Sequence, residues 1–459
     1  MSAATGPRAT GWAMAIVAAA AFGAFWVSTA NTYTNHDDDF LIFNNPLIRD
    51  FSWAGIGRIF FGFERDVSYL PLTLLSFALE YRFLGLDPVW THGINVFLHA
   101  VNACLVLLLA RRYGVRTGGA LAAGLLFAVH PLQTEAVAWA SQRKELLCAL
   151  FSLGAILAYS DRAESRRPGR YALTLALYAA AMLAKPMAIG VPLALLAIDL
   201  YYGRRIRWRA VFEKIPFLAA WPIGIATLVR RAAVVPALSL DPISLSDRLA
   251  GTGHLLLFYA NKLVLPVKLS VFYPDLFRSD LEPLAWRLAG WAAVLAAVAA
   301  VARLARKSSV AFLGSALFLT LLSPAFPLLD NGNLWHYDHY FYLPSAGLFL
   351  AISSIVVGRK RRTRHSIAVA LILAILVGGW GILSRRRCEV WSDSQRLWQD
   401  ALRKNPPDPY IYWKLGLACV EAGQRGRADK YLARARKEWR DPSAAWRITA
   451  GVRKAGAEA

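Results

Sequence analysis

Three consecutive carboxylates, Asp37, Asp38 and Asp39, stand just beyond the first membrane-length apolar run of the chain, Gly11 to Ala30. Acidic groups so placed can take a proton from a hydroxyl, provided that positive charge nearby receives the anion that departs. Adjacent carboxylates also repel one another, which raises the proton affinity of one of them into a range useful for a base. Asp37 and Asp38 are the candidates for that base. The same trio could instead form an interfacial acidic turn or hold a divalent metal, although no further ligand cluster accompanies it. For the cationic half, Arg143 offers a guanidinium able to grip a phosphate through two parallel bonds. Lys185 interrupts the nearly continuous apolar stretch from Tyr171 to Asp199, where an ionisable group is costly and faces a cavity or partner. His130 and Glu135 share a loop with Arg143; pairing with Arg143 or satisfying a helix end is the plainer role for both.

These side chains need a membrane scaffold to hold them. Over 459 positions, 56% of residues are hydrophobic and 18% charged, with a mean hydropathy of +0.38, more apolar surface than one water-soluble core hides. The net charge of +22 suggests nucleic acid or anionic lipid as well as topology. Topology accounts for most of it, and no nucleic-acid partner is implied. Basic residues gather between apolar runs: Arg111, Arg112, Arg116; Arg162, Arg166, Arg167, Arg170; Arg204, Arg205, Arg207, Arg209; Arg303, Arg306, Lys307; and Arg359 to Arg364. Such clusters mark cytoplasmic loops. Apolar runs near 11–30, 91–110, 118–138, 145–160, 171–184, 187–202, 212–229, 285–302, 310–329, 340–357 and 366–384 then give about eleven spans. The expected fold is an all-α polytopic bundle with its amino terminus inside and its carboxyl terminus outside.

The run Leu249 to Pro266, broken by Asn261 and Lys262, reads as re-entrant or interfacial. Segment 31–90 reads as a long outer loop with helices along the interface, Tyr69 to Leu86 among them. That topology places the aspartate loop, the His130–Lys144 connection, the Asp330–Tyr340 connection and the tail on one face. It also leaves Arg143, Lys144, Lys185, Arg230, Arg231 and Arg385 to Arg387 outside, against the charge rule, and such exceptions invite a functional reason. For Arg385 to Arg387, snorkelling to headgroups suffices. The high aromatic content is read as an interfacial belt, with sugar stacking as the alternative for Trp90, Trp139, Trp335 and Tyr337, which this topology places on the outer side. The first apolar run lacks a convincing cleavage site and resembles an uncleaved anchor. The four cysteines say little.

Past Arg387 the composition turns soluble and helical, dividing the chain into 1–387 and 388–459. Tyr412, Leu415 and Gly416, followed by Gly423, Ala428 and Ala435, fit one tetratricopeptide repeat of two antiparallel helices. Trp398 and Ala401 precede Leu432 and Ala435 by 34 residues each, the period of that repeat. One and a half repeats do not stack stably alone, so the tail is expected to pack against the membrane domain or the outer loops.

Ordered blocks now point to a family. They are His36-Asp37-Asp38 with Asn44-Asn45-Pro46-Leu47-Ile48, Tyr69-Leu70-Pro71-Leu72-Thr73, the run Thr91 to Asn102, and His130-Pro131-Leu132-Gln133-Thr134-Glu135 with Arg143-Lys144-Glu145. Ala184-Lys185-Pro186-Met187, Val271-Phe272-Tyr273-Pro274 and Tyr340-Phe341-Tyr342-Leu343-Pro344-Ser345 follow in order. From about Gly11 to Trp439 the chain resembles the transmembrane and tetratricopeptide-repeat (TMTC) O-mannosyltransferases and their bacterial relatives. The resemblance implies a GT-C fold in a bacterial inner membrane and a polyprenyl-phosphate-linked sugar, by analogy mannose, as donor. It further implies transfer to a protein hydroxyl on the periplasmic face; the chemistry is read as inverting, with no cofactor expected and a divalent metal left open. Asp37 and Asp38 fall on the family's acidic pair, and the repeat tail would hold the acceptor polypeptide.

In relatives an acidic residue followed by Arg precedes the Tyr-x-Tyr-Leu-Pro element. Here Asp338 and His339 occupy those places, so the second charge depends on pH. Leu70 stands where relatives often carry Arg. These departures keep open a catalytically degenerate repeat scaffold, and a transporter of lipid-linked solutes is a third class. The sequence-level expectation is that Asp37 and Asp38 act with His130, Glu135, Arg143, Lys185, Asp338 and His339 binding donor or substrate.

Overall fold

The computed structural model describes residues 7–62, 69–165, 168–203, 208–222, 244–273, 283–327, 336–357 and 363–438, and among them the regular structure is all helix. The chain begins with α1 (Pro7–Phe25), followed after the aspartate loop by two short helices, α2 (Trp53–Phe61) and α3 (Pro71–Leu84). The bundle continues through α4 (Pro88–Arg112), α5 (Thr117–Val129), α6 (Thr134–Ala138), α7 (Arg143–Ser165), α8 (Pro168–Ala184) and α9 (Val191–Tyr201). Two short helices follow, α10 (Trp208–Phe212) and α11 (Ile215–Leu218), then α12 (Leu245–Val264), α13 (Pro283–Lys307), α14 (Ser309–Leu322), α15 (Tyr342–Val356) and α16 (Thr363–Val390). The tail is α17 (Ser394–Lys404), α18 (Pro409–Glu421) and α19 (Arg425–Glu438).

Helix starts follow local chemistry. Asp87 accepts from the Val89 N–H ahead of Pro88, and Asp408 accepts from Tyr410 ahead of Pro409, so an acidic cap and a proline that needs no donor open α4 and α18 alike. The central core joins α1, α4, α5, α7 and α15 through small and branched side chains such as Val17, Ala103, Ala123 and Leu153. By contrast α13 and α16 keep Leu295, Val298, Leu371 and Ile375 at least 60% exposed, the pattern of helices facing lipid.

By length and composition five helical segments can cross a bilayer: Arg8–Ala30, Pro88–Arg112, Pro283–Lys307, Asp338–Val356 and Ile367–Val390. A sixth results if Thr117–Val129 and Pro131–Ala138, bent by 51°, count as one broken span. The expected total near eleven is therefore not reached among the described residues. Runs 171–184, 187–202 and 310–329 do form helices, α8, α9 and α14, but their lengths of 17, 11 and 14 residues fall short of the roughly 20 that a bilayer requires. Helix α7 is long enough but carries Arg143, Lys144 and Glu145 in its first turn. Residues 223–229 of run 212–229 lie outside the described residues, as do Arg166, Arg167, Arg204, Arg205, Arg207, Arg230, Arg231, Pro274, Asp330, Trp335, Arg359 to Arg362 and Trp439.

Two expected interfacial elements are tied into the bundle. Helix α3 buries Leu74, Phe77, Ala78 and Glu80 instead of lying free along a surface. Helix α12 packs on α13, and its Tyr259 donates to the Tyr337 carbonyl at 2.8 Å. The tail packs on the rest of the chain: Tyr412, Leu432 and Ala435 join α18 to α19, and α17 and α18 bond directly to Asn35. A Cβ at Gly416 would lie 2.7 Å from the Leu432 side chain, so any larger residue there forces Leu432 to shift.

The α14–α15 contact is closer still. A Cβ on Gly314 would come within 2.5 Å of the Gly347 carbonyl oxygen, and one on Gly347 within 2.6 Å of that of Gly314. Small residues permit such backbone approach between membrane helices. Gly347→Leu should destabilise the detergent-solubilised protein by roughly 1–3 kcal/mol through overpacking. Thermal unfolding checks this, with Gly378→Leu, on the open face of α16, as the tolerated comparison.

Candidate active site

The segments that the topology places on one face do converge. Asp38 is the join: its Oδ2 accepts from the Thr34 N–H at 2.9 Å and the Thr34 hydroxyl at 3.0 Å, while its Oδ1 accepts from the Ser141 N–H at 2.9 Å. The carboxylate is 1% exposed. Burial lifts its pKa to about 6, against the pull of the bonds from Thr34 and Ser141. Withdrawal from water, rather than repulsion within the acidic trio, is thus the main cause of its raised proton affinity.

Asp37 differs. Its side chain is 29% exposed and its Oδ2 lies 3.4 Å from Lys144 Nζ. The two aspartates expected to act as a pair therefore divide: Asp38 fastens the loop and Asp37 is presented. Asp39 opens a single π-helical turn, Asp39–Phe43, that leads into Asn45, whose side chain accepts from the Leu47 N–H.

From Asp37 an arc of charged and aromatic groups runs across the site. Lys144 Nζ stands 5.2 Å from the Trp139 ring centre, and Trp139 meets His339 edge to face at 5.9 Å. His339 lies 4.5 Å from Tyr340, over whose ring Lys185 Nζ sits at 5.3 Å. Glu135 pairs with His339 Nδ1, and Glu145 pairs with Lys185. Asp338 is adjacent, accepting from the Tyr273 hydroxyl at 2.9 Å. Glu135, Lys185, Asp338 and His339 are thus brought together beside the aspartate loop.

Arg143 and His130 do other work. The Arg143 guanidinium is 1% exposed and donates from Nε to Asn95 Oδ1 at 3.1 Å, from one terminal nitrogen to Glu80 and from the other to the Thr91 carbonyl at 2.9 Å. It also lies 4.4 Å from the Phe77 ring centre. With each nitrogen engaged, this arginine is a strut between α3, α4 and the start of α7, which corrects its expected place on a phosphate. His130 accepts from the Leu132 N–H at 3.2 Å and its Nε2 meets the Leu263 carbonyl at 3.2 Å. It caps the turn at Pro131–Gln133 and packs on Trp380 rather than joining the arc. Leu70, in the position where relatives often have Arg, is buried with Leu41, Ile42 and Ala140 under the loop.

Sequence reasoning left several participants out of the site. Lys144 carried a signal, a second cation outside the expected topology and next to Arg143. His36 also carried one, directly before the acids. Its ring stacks on Trp139 at 4.3 Å and meets Trp398 edge to face at 5.3 Å, and neither ring nitrogen has a hydrogen-bond partner. Burial drops its pKa to about 3, so the imidazole is neutral and acts as a packing plate. Glu80, which pairs with Arg143, had no local signal, and Glu145, which pairs with Lys185, had one only as the end of the Arg143-Lys144-Glu145 block. The four cysteines are free thiols. Among the described residues no group of three His, Cys, Asp or Glu side chains is arranged to hold a metal ion.

Comparison with known proteins adds an independent line. No family model matches the chain. It is 44% identical over 122 residues to the protein O-mannosyl-transferase Tmtc1 of Drosophila melanogaster, a match covering 27% of this chain and 14% of that protein. Over a longer reach it is 24% identical to the human protein O-mannosyl-transferase TMTC4, covering 92% of this chain and 65% of the relative. The Caenorhabditis elegans protein O-mannosyl-transferase F38B6.6 is 24% identical over 403 residues, 84% of this chain and 56% of that one. In each case the match spans less than two thirds of the relative's length. Among solved structures, the apo Archaeoglobus fulgidus oligosaccharyltransferase aligns over 89% of this chain and 60% of its own, with a TM-score of 0.48 and 14% identity.

The raised pKa of Asp38 has a measurable sign. The folded loop favours the protonated carboxyl, so this contribution to stability is full below the ordinary value of 3.8 and is lost as pH rises through about 6. Asp38→Asn removes the titration. Between pH 4 and 7 the melting temperature of the unmodified protein should therefore fall relative to that of the variant, and a constant difference would contradict the assignment. Separately, Glu80→Gln leaves the buried Arg143 without its counter-charge and should cost roughly 3–5 kcal/mol in thermal or denaturant unfolding.

Proposed function

We propose that this chain, a TMTC-like relative of the protein O-mannosyltransferases, is a membrane glycosyltransferase of the GT-C type. In this reading it moves a sugar, most simply mannose, from a polyprenyl phosphate to a Ser or Thr hydroxyl of a polypeptide. Asp37 takes the acceptor proton as the hydroxyl oxygen attacks the anomeric carbon from the face opposite the phosphate. The bond between that carbon and the phosphate oxygen breaks, the configuration inverts, and the lipid leaves as its monophosphate. Lys144 and Lys185, with His339 when protonated, offset the charge that develops on the departing phosphate. No cofactor is needed. Asp38 and Arg143 are positioning residues, one holding the loop against Ser141 and the other fixing the first turn of α7 beside Lys144.

The observation that carries this reading is the approach of Asp37 to Lys144 at 3.4 Å, with both at the same end of the bundle as Lys185 and His339. The names of the relatives support the transfer to protein. The enzyme would sit in a bacterial inner membrane with its amino terminus in the cytoplasm. Its tail would stand in the periplasm as a tetratricopeptide-like element that receives the acceptor polypeptide.

One observation favours a second reading. Lys185 and His339 are already paired with Glu145 and Glu135, and a cation so neutralised has less to offer an incoming phosphate. That arrangement suits a relative that has kept the scaffold and lost the chemistry. A single substitution decides between them. With purified protein, a polyprenyl-phosphate mannose and a Ser/Thr-rich peptide, Asp37→Asn should lower transfer by about a hundredfold or more, with the protein still folded. Equal transfer by the variant would overturn the base assignment, and no transfer by the unmodified protein across a panel of lipid-linked sugars would favour the scaffold.

A further inference from the structure

The polar groups of Asn35 are bonded to the tail. Its N–H donates to Ser394 Oγ at 3.0 Å and its Nδ2 donates to the Lys414 carbonyl at 3.3 Å. Its Oδ1 accepts from the Trp398 indole at 2.8 Å, and its own carbonyl accepts from Lys414 Nζ at 2.6 Å. Asn35, Trp398 and Lys414 are each buried. Upstream, the Asn31 amide donates to the Cys388 carbonyl and the Thr32 N–H to the Ser392 carbonyl. Downstream, His36 is held edge-on by the same Trp398. Residues 31–36 therefore have much of their backbone and side-chain bonding satisfied by residues 388–414, more than 350 positions away in sequence. Asp37 is the next residue.

A buried amide with its donors and acceptors engaged is rigid, because breaking any one bond leaves a polar group unsatisfied. Here the rigidity is applied two residues before the exposed carboxylate, and from one side only. Asp38 supplies the other anchor through Ser141. The direction of Asp37 is thus fixed between a tail anchor and a membrane-domain anchor.

We propose that Asn35, clamped by Trp398 and Lys414, is a positioning residue for Asp37, so that the tail forms part of the catalytic apparatus and is not a separable acceptor-binding module. The proposal rests on the reading of Asp37 as the base. It implies that loosening the clamp slows the chemical step while leaving capture of the lipid donor intact, since the donor-facing cations come from α7 and the turn between α8 and α9.

The test uses the full-length protein in detergent or nanodiscs and compares Asn35→Ala, Trp398→Phe, Lys414→Met and Lys414→Arg. Trp398→Phe keeps an aromatic ring and removes the indole donor, together with part of the buried ring volume. Arg287→Ala, which breaks the remote ion pair with Asp247 between α12 and α13, is the control. Asn35→Ala and Lys414→Met should lower kcat by roughly tenfold to a hundredfold, the scale of a displaced reacting group, with KM for the polyprenyl-phosphate sugar within about threefold of its original value. Trp398→Phe should show a smaller loss of the same kind, Lys414→Arg should restore most of kcat, and the control should be unchanged. Amide hydrogen exchange over residues 31–39 should quicken in Asn35→Ala and Trp398→Phe and not in the control. Unaltered exchange in both variants overturns the clamp whatever the activity does. Loss of transfer in Asp37→Asn with full kcat in the clamp variants overturns this inference alone, whereas full transfer in Asp37→Asn overturns the base assignment beneath it.

Discussion

A buried carboxylate that accepts from two separate segments holds the functional end of this protein together. Asp38 takes two bonds from Thr34 within its own loop and one from the Ser141 N–H in the segment between α6 and α7. Each of those donors would otherwise be buried without an acceptor, at a cost of roughly 1–3 kcal/mol apiece. Satisfying all of them with one side chain brings the aspartate loop to the first turn of α7. Lys144 can then meet Asp37, and Trp139 can stack on His36.

The charges around that join are arranged in pairs. Arg143 is balanced by Glu80, Lys185 by Glu145 and His339 by Glu135, and removing one partner of such a pair leaves the other uncompensated. Among these contacts Asp37 with Lys144 is the most exposed and, at 3.4 Å, the loosest. It is the contact that an incoming substrate can enter with least disruption. The aromatic stack of His36, Trp139 and Trp391 sits behind it as an apolar wall, closed by Trp398 from the tail. That wall keeps water from the rear of the aspartate loop and strengthens the electrostatics in front of it.

Much of this was legible in the sequence. The acidic loop showed because carboxylates directly after an apolar run have few structural uses, and the helical tail showed through the change of composition past Arg387, with Trp398 and Leu432, 34 residues apart, both buried. Convergence of the loops on one end followed from the distribution of arginines. The number of crossings did not follow, since hydrophobicity alone does not separate a 14-residue helix such as α14 from a full span. The role of Arg143 was hidden because its partner Glu80 lies 63 residues away on a helix that reads as peripheral. The division between Asp37 and Asp38 was hidden because it depends on which carboxylate meets a backbone N–H across the fold. Asn35 has no motif at all, and its importance lies wholly in what the tail brings to it.

These features make one spatial claim: a lipid phosphate belongs on the Lys144 and Lys185 side of the site, with Asp37 left facing the acceptor. A cryo-electron microscopy map of the protein in a nanodisc with a polyprenyl monophosphate bound tests it most directly. The account predicts phosphate density at about 3 Å from the Lys144 and Lys185 ammonium groups, with the Asp37 carboxylate free of it. Phosphate density at the opposite end of the bundle, or an Asp37 side chain turned away from both lysines, would contradict it.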